Sequence, residues 1–441
     1  MKTLALTAAG AAALLCAAPP AGAAATRVHA AFAQHSYRPG QVAVLHVVGS
    51  PSRTLLLDVL PAAALRDRSL TSARMRPTSR VTLRGPGPWS VYVRLGRWPS
   101  GVYLARLTTT AGRGIGYAPL ILRPFVLGVH RTLVVEPTNT WQAYNTWAGD
   151  SWYLSSDVWK IDLTRPYAGD GLPPHFEGYD LGFLRWVADN GAAADFVSDD
   201  DLGRFESGKQ LRRLYDLIVF PGHEEYVTGH VFDLVTSFRN RGGSLAFLSA
   251  NSFFWAVQRH GRFMTGRTRW DTLGKQDAAL VGAEYDGWES HLFGNHPYVV
   301  VGATKLPWLF AGTGLADGEA FGDYGIEIDQ RNRYSPRNVV VAARISNDFG
   351  RGHSAEMTYY RRGRAQVFAA GVMNFGGSLA SWPAAAQMMR NIWNRLGGDW
   401  LPPPQRARPS GLAGSGGEGH LAGPAAAAVR RGLDDGDRPL D

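Results

Sequence analysis

A chain of 441 residues with 45% apolar, 11% aromatic and 19% charged residues is neither disordered, collagenous nor coiled-coil, and it is long enough for one large or two ordinary domains. The net charge of +9 rests on arginine in a chain rich in Gly and Ala, and without a recognition motif it carries no nucleic-acid reading. The single cysteine, Cys16, excludes an intrachain disulfide, a Cys-based zinc site and an iron–sulfur cluster, so any demanding chemistry must use oxygen and imidazole donors.

Residues 1–25 read as a secretory signal peptide: Lys2, an Ala/Leu-rich apolar run, and Ala21-Gly22-Ala23 at the cleavage position. Leu15 before Cys16 argues against lipid anchoring, and no segment has the apolar length of a transmembrane helix, so a secreted protein is expected. From 26 to 122 short alternating stretches (VAVLHVVG, TLLLDVL, WSVYVRL, GVYLARLTT) separated by Gly/Pro turns predict an antiparallel β-sandwich. Over 123–401 strands alternate with helices. TLVVEP, ADFVSD, DLIVFP and SLAFLSA are strands; a helix over 178–190 stops at Gly191, another is capped by Thr228, and a last one covers 382–396. That alternation predicts an α/β fold with a doubly wound, mostly parallel sheet, of the kind found in class I glutamine amidotransferases and flavodoxin-like proteins. The repeat of GGSLA at 242–246 and 376–380 has no flanking similarity and reads as coincidence. Residues 402–441, with three prolines at their border and no periodicity, read as a disordered tail.

Ligands of open α/β sheets bind beyond the carboxyl ends of the strands. There this sequence places Asn139, Tyr144 and Asn145 after the first strand, His223, Glu224, Glu225 and Tyr226 after the third, and Asn251 after the fourth. A polar turn before a helix would also explain G-H-E-E-Y, but three loops presenting Tyr, His, Glu and Asn at one edge favour an oxygen-rich metal or catalytic site. No His stands four residues after His223, G-x-S-x-G is absent, and no G-x-G-x-x-G opens a helix after the first strand, so a zincin, a Ser-His-Asp hydrolase and a dinucleotide-binding protein are excluded. Trp141, Trp147, Trp152 and Trp159 line either a pocket or the loop's own small core.

The succession PTNTWQAYN, TRPYA, LIVFPGHEEY, LAFLSANSFFW, GAEYDGW and AEMTYY resembles the C-terminal catalytic region of the N,N-dimethylformamidase large (beta) subunit family, over roughly 95–400. The resemblance implies an amidohydrolase with one Fe(III) held by two tyrosines and a glutamate, which here match Tyr103, Tyr144 and Glu225 at the family's intervals of 41 and 81 residues. It implies His223 and Asn251 as neighbouring polar groups and Glu356 in A-E-M-T-Y-Y as the catalytic glutamate. Phenolate and carboxylate are hard donors suited to a trivalent ion. The implied substrate is a small-molecule or cell-envelope amide, and a homo-oligomer is compatible with the resemblance. The competing expectation is a non-catalytic extracellular binding or envelope protein that keeps the fold.

Overall fold

The computed structural model describes residues 27–48, 54–65, 79–85, 88–109, 114–288, 295–350, 352–401 and 428–431. The signal-peptide reading and most of the tail lie outside them.

In the first domain period-two alternation builds two facing sheets. One orders His29–Phe32, Val42–Val48 and Trp89–Arg94; the other orders Ser36–Tyr37, Gly114–Leu122, Gly101–Thr109, Leu55–Pro61 and Ser79–Leu83. Leu45, Val47 and Val91 meet Leu57, Val59 and Leu107 in a shared core. Ala428–Arg431 pairs antiparallel with the edge strand Trp89–Arg94, so the tail expected to lie outside the fold contributes one strand. Along Gly101–Thr109 the alternation also divides the labour of the two faces. Tyr103, Ala105 and Leu107 enter the sandwich core, whereas Val102 and Leu104 pack outward with Phe176, Phe183 and Trp186 of the second domain.

The second domain corrects the expected fold class. Its nine-stranded sheet runs in the order Asp195–Ser198, Thr132–Glu136, Leu217–Phe220, Ser244–Phe247, Ala365–Ala369, Ala355–Arg362, Val340–Ile345, His296–Val300, Ala320–Tyr324. The first five strands are parallel, but every pairing beyond Ala365–Ala369 is antiparallel. Smaller sheets join the pair Glu284–Trp288 with Glu327–Gln330, and Lys160–Asp162, Phe263–Arg269, Trp255–His260 with Tyr226–Thr228. Strand outweighs helix, 36% to 24%. The protein is therefore a β-rich mixed fold rather than a doubly wound, flavodoxin-like one. The physical reason lies after residue 250, where hairpins replace crossover helices and successive strands must reverse direction.

The parallel half is covered on both faces. Leu133, Ile218 and Phe220 meet Val231, Leu234 and Phe238 of the helix Gly229–Asn240, which Thr228 caps by accepting from Val231 N–H at 3.2 Å. Val134 and Val219 face the helices Leu181–Asn190 and Pro383–Leu396. Between the short helices Phe176–Tyr179 and Phe375–Ser378 the backbones nearly touch. A Cβ on Gly377 would lie 1.7 Å from Gly178 O, one on Gly182 1.9 Å from Gly377 O, and one on Gly376 2.3 Å from Pro221 O. This contact sets the position of Tyr179 and of the Pro221-Gly222 turn.

Gly377→Ala should accordingly force these segments apart and cost on the order of 1–3 kcal/mol, read as a lower midpoint by calorimetry. Gly178→Ala, where an added Cβ meets nothing within 4 Å, is the control and should stay near wild type. A second test concerns Asp277, which caps Ala278–Val281 by accepting from Ala278 N–H at 3.1 Å. Burial, then Glu284, pushes its carboxyl up to about 7 against the pull of Arg269. Unfolded Asp releases its proton near pH 4, so the folded state holds the extra proton between about 4 and 7 and stability falls as pH rises through that window. Asp277→Asn should flatten this part of the pH–stability curve, measured as denaturation midpoints from pH 4 to 8.

Candidate active site

Three loops leave the carboxyl ends of neighbouring parallel strands. Thr132–Glu136 runs through Pro137 into the helix Thr138–Tyr144, which places Tyr144 at its last turn. Leu217–Phe220 opens into Pro221-Gly222-His223-Glu224-Glu225, and Thr140 Oγ1 locks that turn by accepting from Glu225 N–H at 3.0 Å and Tyr226 N–H at 3.3 Å. Ser244–Phe247 leads to Asn251, whose backbone N–H donates to Asp329 at 2.7 Å. The antiparallel pair Glu284–Trp288 and Glu327–Gln330 closes the site from the other side and supplies Glu327 and Tyr285.

These segments bring His223 Nε2 to 3.4 Å from Glu225 and 3.6 Å from Glu327. Asn251 Nδ2 donates to Glu327 at 2.7 Å, and the Tyr144 hydroxyl is hydrogen-bonded to Glu225. The rings of Tyr144 and Tyr179 stand edge-on to the His223 ring at 5.3 and 6.5 Å. Burial, then the Glu327 charge, pushes the Glu225 carboxyl well up, although Tyr144 and Asn251 oppose the shift. Burial also lifts Glu327, to about 7. It drives the Tyr144 phenol well above its ordinary range, with Glu225 and Glu327 adding to the shift, and lowers His223 to about 3, leaving the imidazole neutral. Two buried carboxylates that both stand within 3.6 Å of one imidazole nitrogen disfavour each other's charge, and a proton or a cation at the centre would relieve this. His223 Nε2, Glu225 Oε2 and Asn251 Oδ1 are all buried without a hydrogen-bond partner, which is the signature of a centre built around something else. Of the two carboxylates Glu327 is the more open, 14% exposed against 4% for Glu225, and Tyr144 is likewise half-buried.

Backbone strain gathers at the same place. Of the six non-glycine residues with positive φ among the described residues, His175, Asn251, Phe253 and Ile326 belong to the segments that frame the centre. Ile326, β-branched and at φ 75°, directly precedes Glu327. Arg165 of T-R-P-Y-A holds the end of the Tyr144 helix, donating to Gln142 O at 2.6 Å and Asn145 O at 3.1 Å and also bonding Trp147 and Asp150 in the Trp-rich loop. Within that loop Trp141 and Trp152 are buried and Trp159 is exposed. Below the centre lies a second layer of acids, Glu136, Asp180, Asp199 and Glu224, all buried and all pushed up first by burial.

Tyr144, Glu225, His223 and Asn251 thus come together, and two residues assigned from the resemblance do not join them. Tyr103 points into the sandwich core, where its hydroxyl donates to Pro99 O at 2.9 Å and its ring packs on Trp98; strand parity turns it away from the second domain. Glu356 is buried in a double ion pair with Arg331 at 2.8 Å and Arg344 at 2.5 Å. Burial raises its carboxyl, but the hydrogen bonds from the two guanidinium groups outweigh this and hold it low, as a structural anion. Sequence reasoning passed over Tyr179 and Glu327. For Glu327 a signal existed: I-E-I-D sets two acids on one face of a short strand whose other face is apolar.

The family model for the N,N-dimethylformamidase beta subunit-like C-terminal region matches residues 71–391. The chain belongs to that family. The N,N-dimethylformamidase beta subunits of Alcaligenes sp and Paracoccus aminophilus are 29% and 30% identical to it over 96 residues, a stretch that spans 20% of this chain but only 12% of either relative. A solved cycloisomaltooligosaccharide glucanotransferase of Paenibacillus sp. aligns over 78% of this chain and 68% of its own at 8% identity, with a TM-score of 0.17 that carries no argument about fold.

The dimethylformamidase-like chain can be probed at Glu356, which stands apart from the centre. Glu356→Ala opens a buried site and leaves Arg331 and Arg344, each more than a third exposed, without their shared anion, and should cost about 1–2 kcal/mol by chemical denaturation. Glu327→Gln keeps its shape, removes a repulsion, and should leave the denaturation midpoint equal to or above that of wild type.

Proposed function

We propose that the protein is an amidohydrolase that cleaves the C–N bond of a small-molecule amide with the help of one Fe(III). Family membership supports the reaction class, and the observation that carries the reading is the buried Glu225–Glu327 pair with its phenol and unpartnered polar atoms. Among the described residues no three His, Cys, Asp or Glu form a ready metal cluster, and the reading therefore draws on phenols as donors. Tyr144, Tyr179 and Glu225 fit that reading as hard oxygen donors, with Tyr179 taking the place first given to Tyr103. An ion bound there supplies Lewis acidity toward an amide carbonyl and toward water.

The chain's own groups then have defined work. Glu327, the most open carboxylate and pushed toward neutrality, accepts the proton of the attacking water and returns it to the leaving amine nitrogen. Asn251 Nδ2 fixes the Glu327 oxygen that must face the water. Neutral His223 presents its free Nε2 between the two carboxylates, where it orients water or the developing oxyanion. Buried Tyr226 and Trp152 close the floor against solvent. With residues 1–25 read as an export signal, the proposed enzyme would meet its substrate outside the cytoplasm.

Protein purified from iron-supplemented cells should contain about one iron per chain and show a visible tyrosinate-to-iron band. Tyr144→Phe should bleach or shift that band, and Glu327→Gln should lower turnover of N,N-dimethylformamide or N-methylacetamide by at least about a hundredfold with iron retained. Colourless, iron-free protein would leave a binding role for the fold and end the hydrolase reading.

A further inference from the structure

The rim of the centre is built from ring pairs, each with an inner and an outer member. Tyr153 stacks on Tyr144 at 5.2 Å and 22°, His175 stacks on Tyr179 at 5.0 Å and 24°, and Tyr285 packs edge-on against Phe254 at 5.0 Å. Tyr144 and Tyr179 border His223, and Tyr285 feels the charges of Glu327 and Glu225, so all three pairs belong to the same centre. Two of the outer rings are accessible, Tyr153 at 62% exposed and His175, whereas Phe254 and Tyr285 are half-buried. Behind the third pair Arg269 braces Phe254 at 3.4 Å and is itself tied to Glu284 at 2.6 Å. His175 is held in the left-handed region at φ 57° as the N-cap of the helix Phe176–Tyr179, its carbonyl accepting from Gly178 N–H at 2.9 Å and Tyr179 N–H at 3.0 Å.

We infer that this collar selects amides carrying a neutral, flat aromatic group on the nitrogen or acyl side, so that aryl amides are the substrate class. The inference rests on the amidohydrolase reading for what happens to the amide, but not for how the ring is bound. Two of the three outer rings lie nearly parallel to their inner partners, which presents ring faces and edges to an incoming group, and aromatic rings favour offset-stacked or edge contacts of this kind. Charge argues against the alternatives. An anionic substrate would enter a buried centre where even Glu225 and Glu327 are pushed toward their neutral forms, and a cationic one would compete with the ion assigned to the centre. A saccharide needs hydroxyl partners beside its stacking platform, and the collar offers rings in place of an array of amide and carboxylate groups. With Glu327 at the same centre, an amide whose aryl group rests in the collar has its C–N bond directed at the groups that handle water.

The test is equilibrium binding, which does not depend on turnover. Acetanilide, N,N-dimethylacetamide and N-acetylglucosamine are titrated by calorimetry into the full-length protein and into Tyr153→Ala and Tyr153→Phe variants. Acetanilide should bind at least tenfold more tightly than either other probe; Tyr153→Ala should remove most of that advantage and Tyr153→Phe should keep it. Equal binding of the three probes, preference for the sugar, or an acetanilide affinity unchanged in Tyr153→Ala would overturn the inference. Turnover is read separately: tight binding of acetanilide without cleavage of it or of a small aliphatic amide would end the hydrolase reading and leave the collar's ligand class standing.

Discussion

Two carboxylates facing one neutral imidazole in a buried centre form the constraint on which the rest of the second domain depends. Glu225 and Glu327 come from segments far apart in sequence, and neither gains from meeting the other. Their approach must be enforced by everything around them. Thr140 pins the backbone of Glu225, Asn251 links Asp329 through its backbone to Glu327 through its side chain, and Arg165 holds the helix that ends in Tyr144. Positive φ at Asn251, Phe253 and Ile326 is a further cost accepted at the same spot.

The mixed sheet explains how such a site is assembled. A sheet wound in parallel throughout offers only loops beyond its strand ends, and here those loops supply Tyr144, His223, Glu225 and Asn251. Glu327 has a different origin. It stands on a short antiparallel strand, tied back to the core by the bridge between Ile328 and Val372, and it reaches the centre from the side. Rigid strand backbone suits a group that must hold a proton at a defined point, while loop backbone suits donors that must converge from several directions. The antiparallel half of the domain thus contributes chemistry as well as area.

What was legible in the sequence follows from the range of the forces involved. Alternation and capping are local, so the sandwich strands, the helix capped by Thr228 and the polar loops after TLVVEP, LIVFP and SLAFL could be read from neighbouring residues. The direction of the strands after residue 250 could not, because NVVVAARI and AQVFAAG look alike whether a hairpin or a helix precedes them. Tyr103 and Glu356 show the limit of transferring residues by interval. Both occupy suitable sequence surroundings, yet one lies on the wrong parity of its strand and the other is neutralised by Arg331 and Arg344. Glu327 and Tyr179 were missed because their significance comes only from long-range contact.

The acids form two layers, and the difference between them bears on which one does chemistry. Glu136, Asp180, Asp199 and Glu224 are sealed from solvent, and burial together with their mutual charge pushes the Glu224 carboxyl up toward the neutral form. A layer that keeps its protons is electrically quiet and serves as a scaffold under the His223–Glu225 turn. The upper layer has a partial exposure to solvent at Glu327 that the lower one lacks. A carboxyl that is buried enough to be basic and open enough to exchange its proton with incoming water can act as a base, whereas its sealed neighbours cannot. The position of that exposure, more than the number of acids, therefore decides where the chemistry of this fold resides.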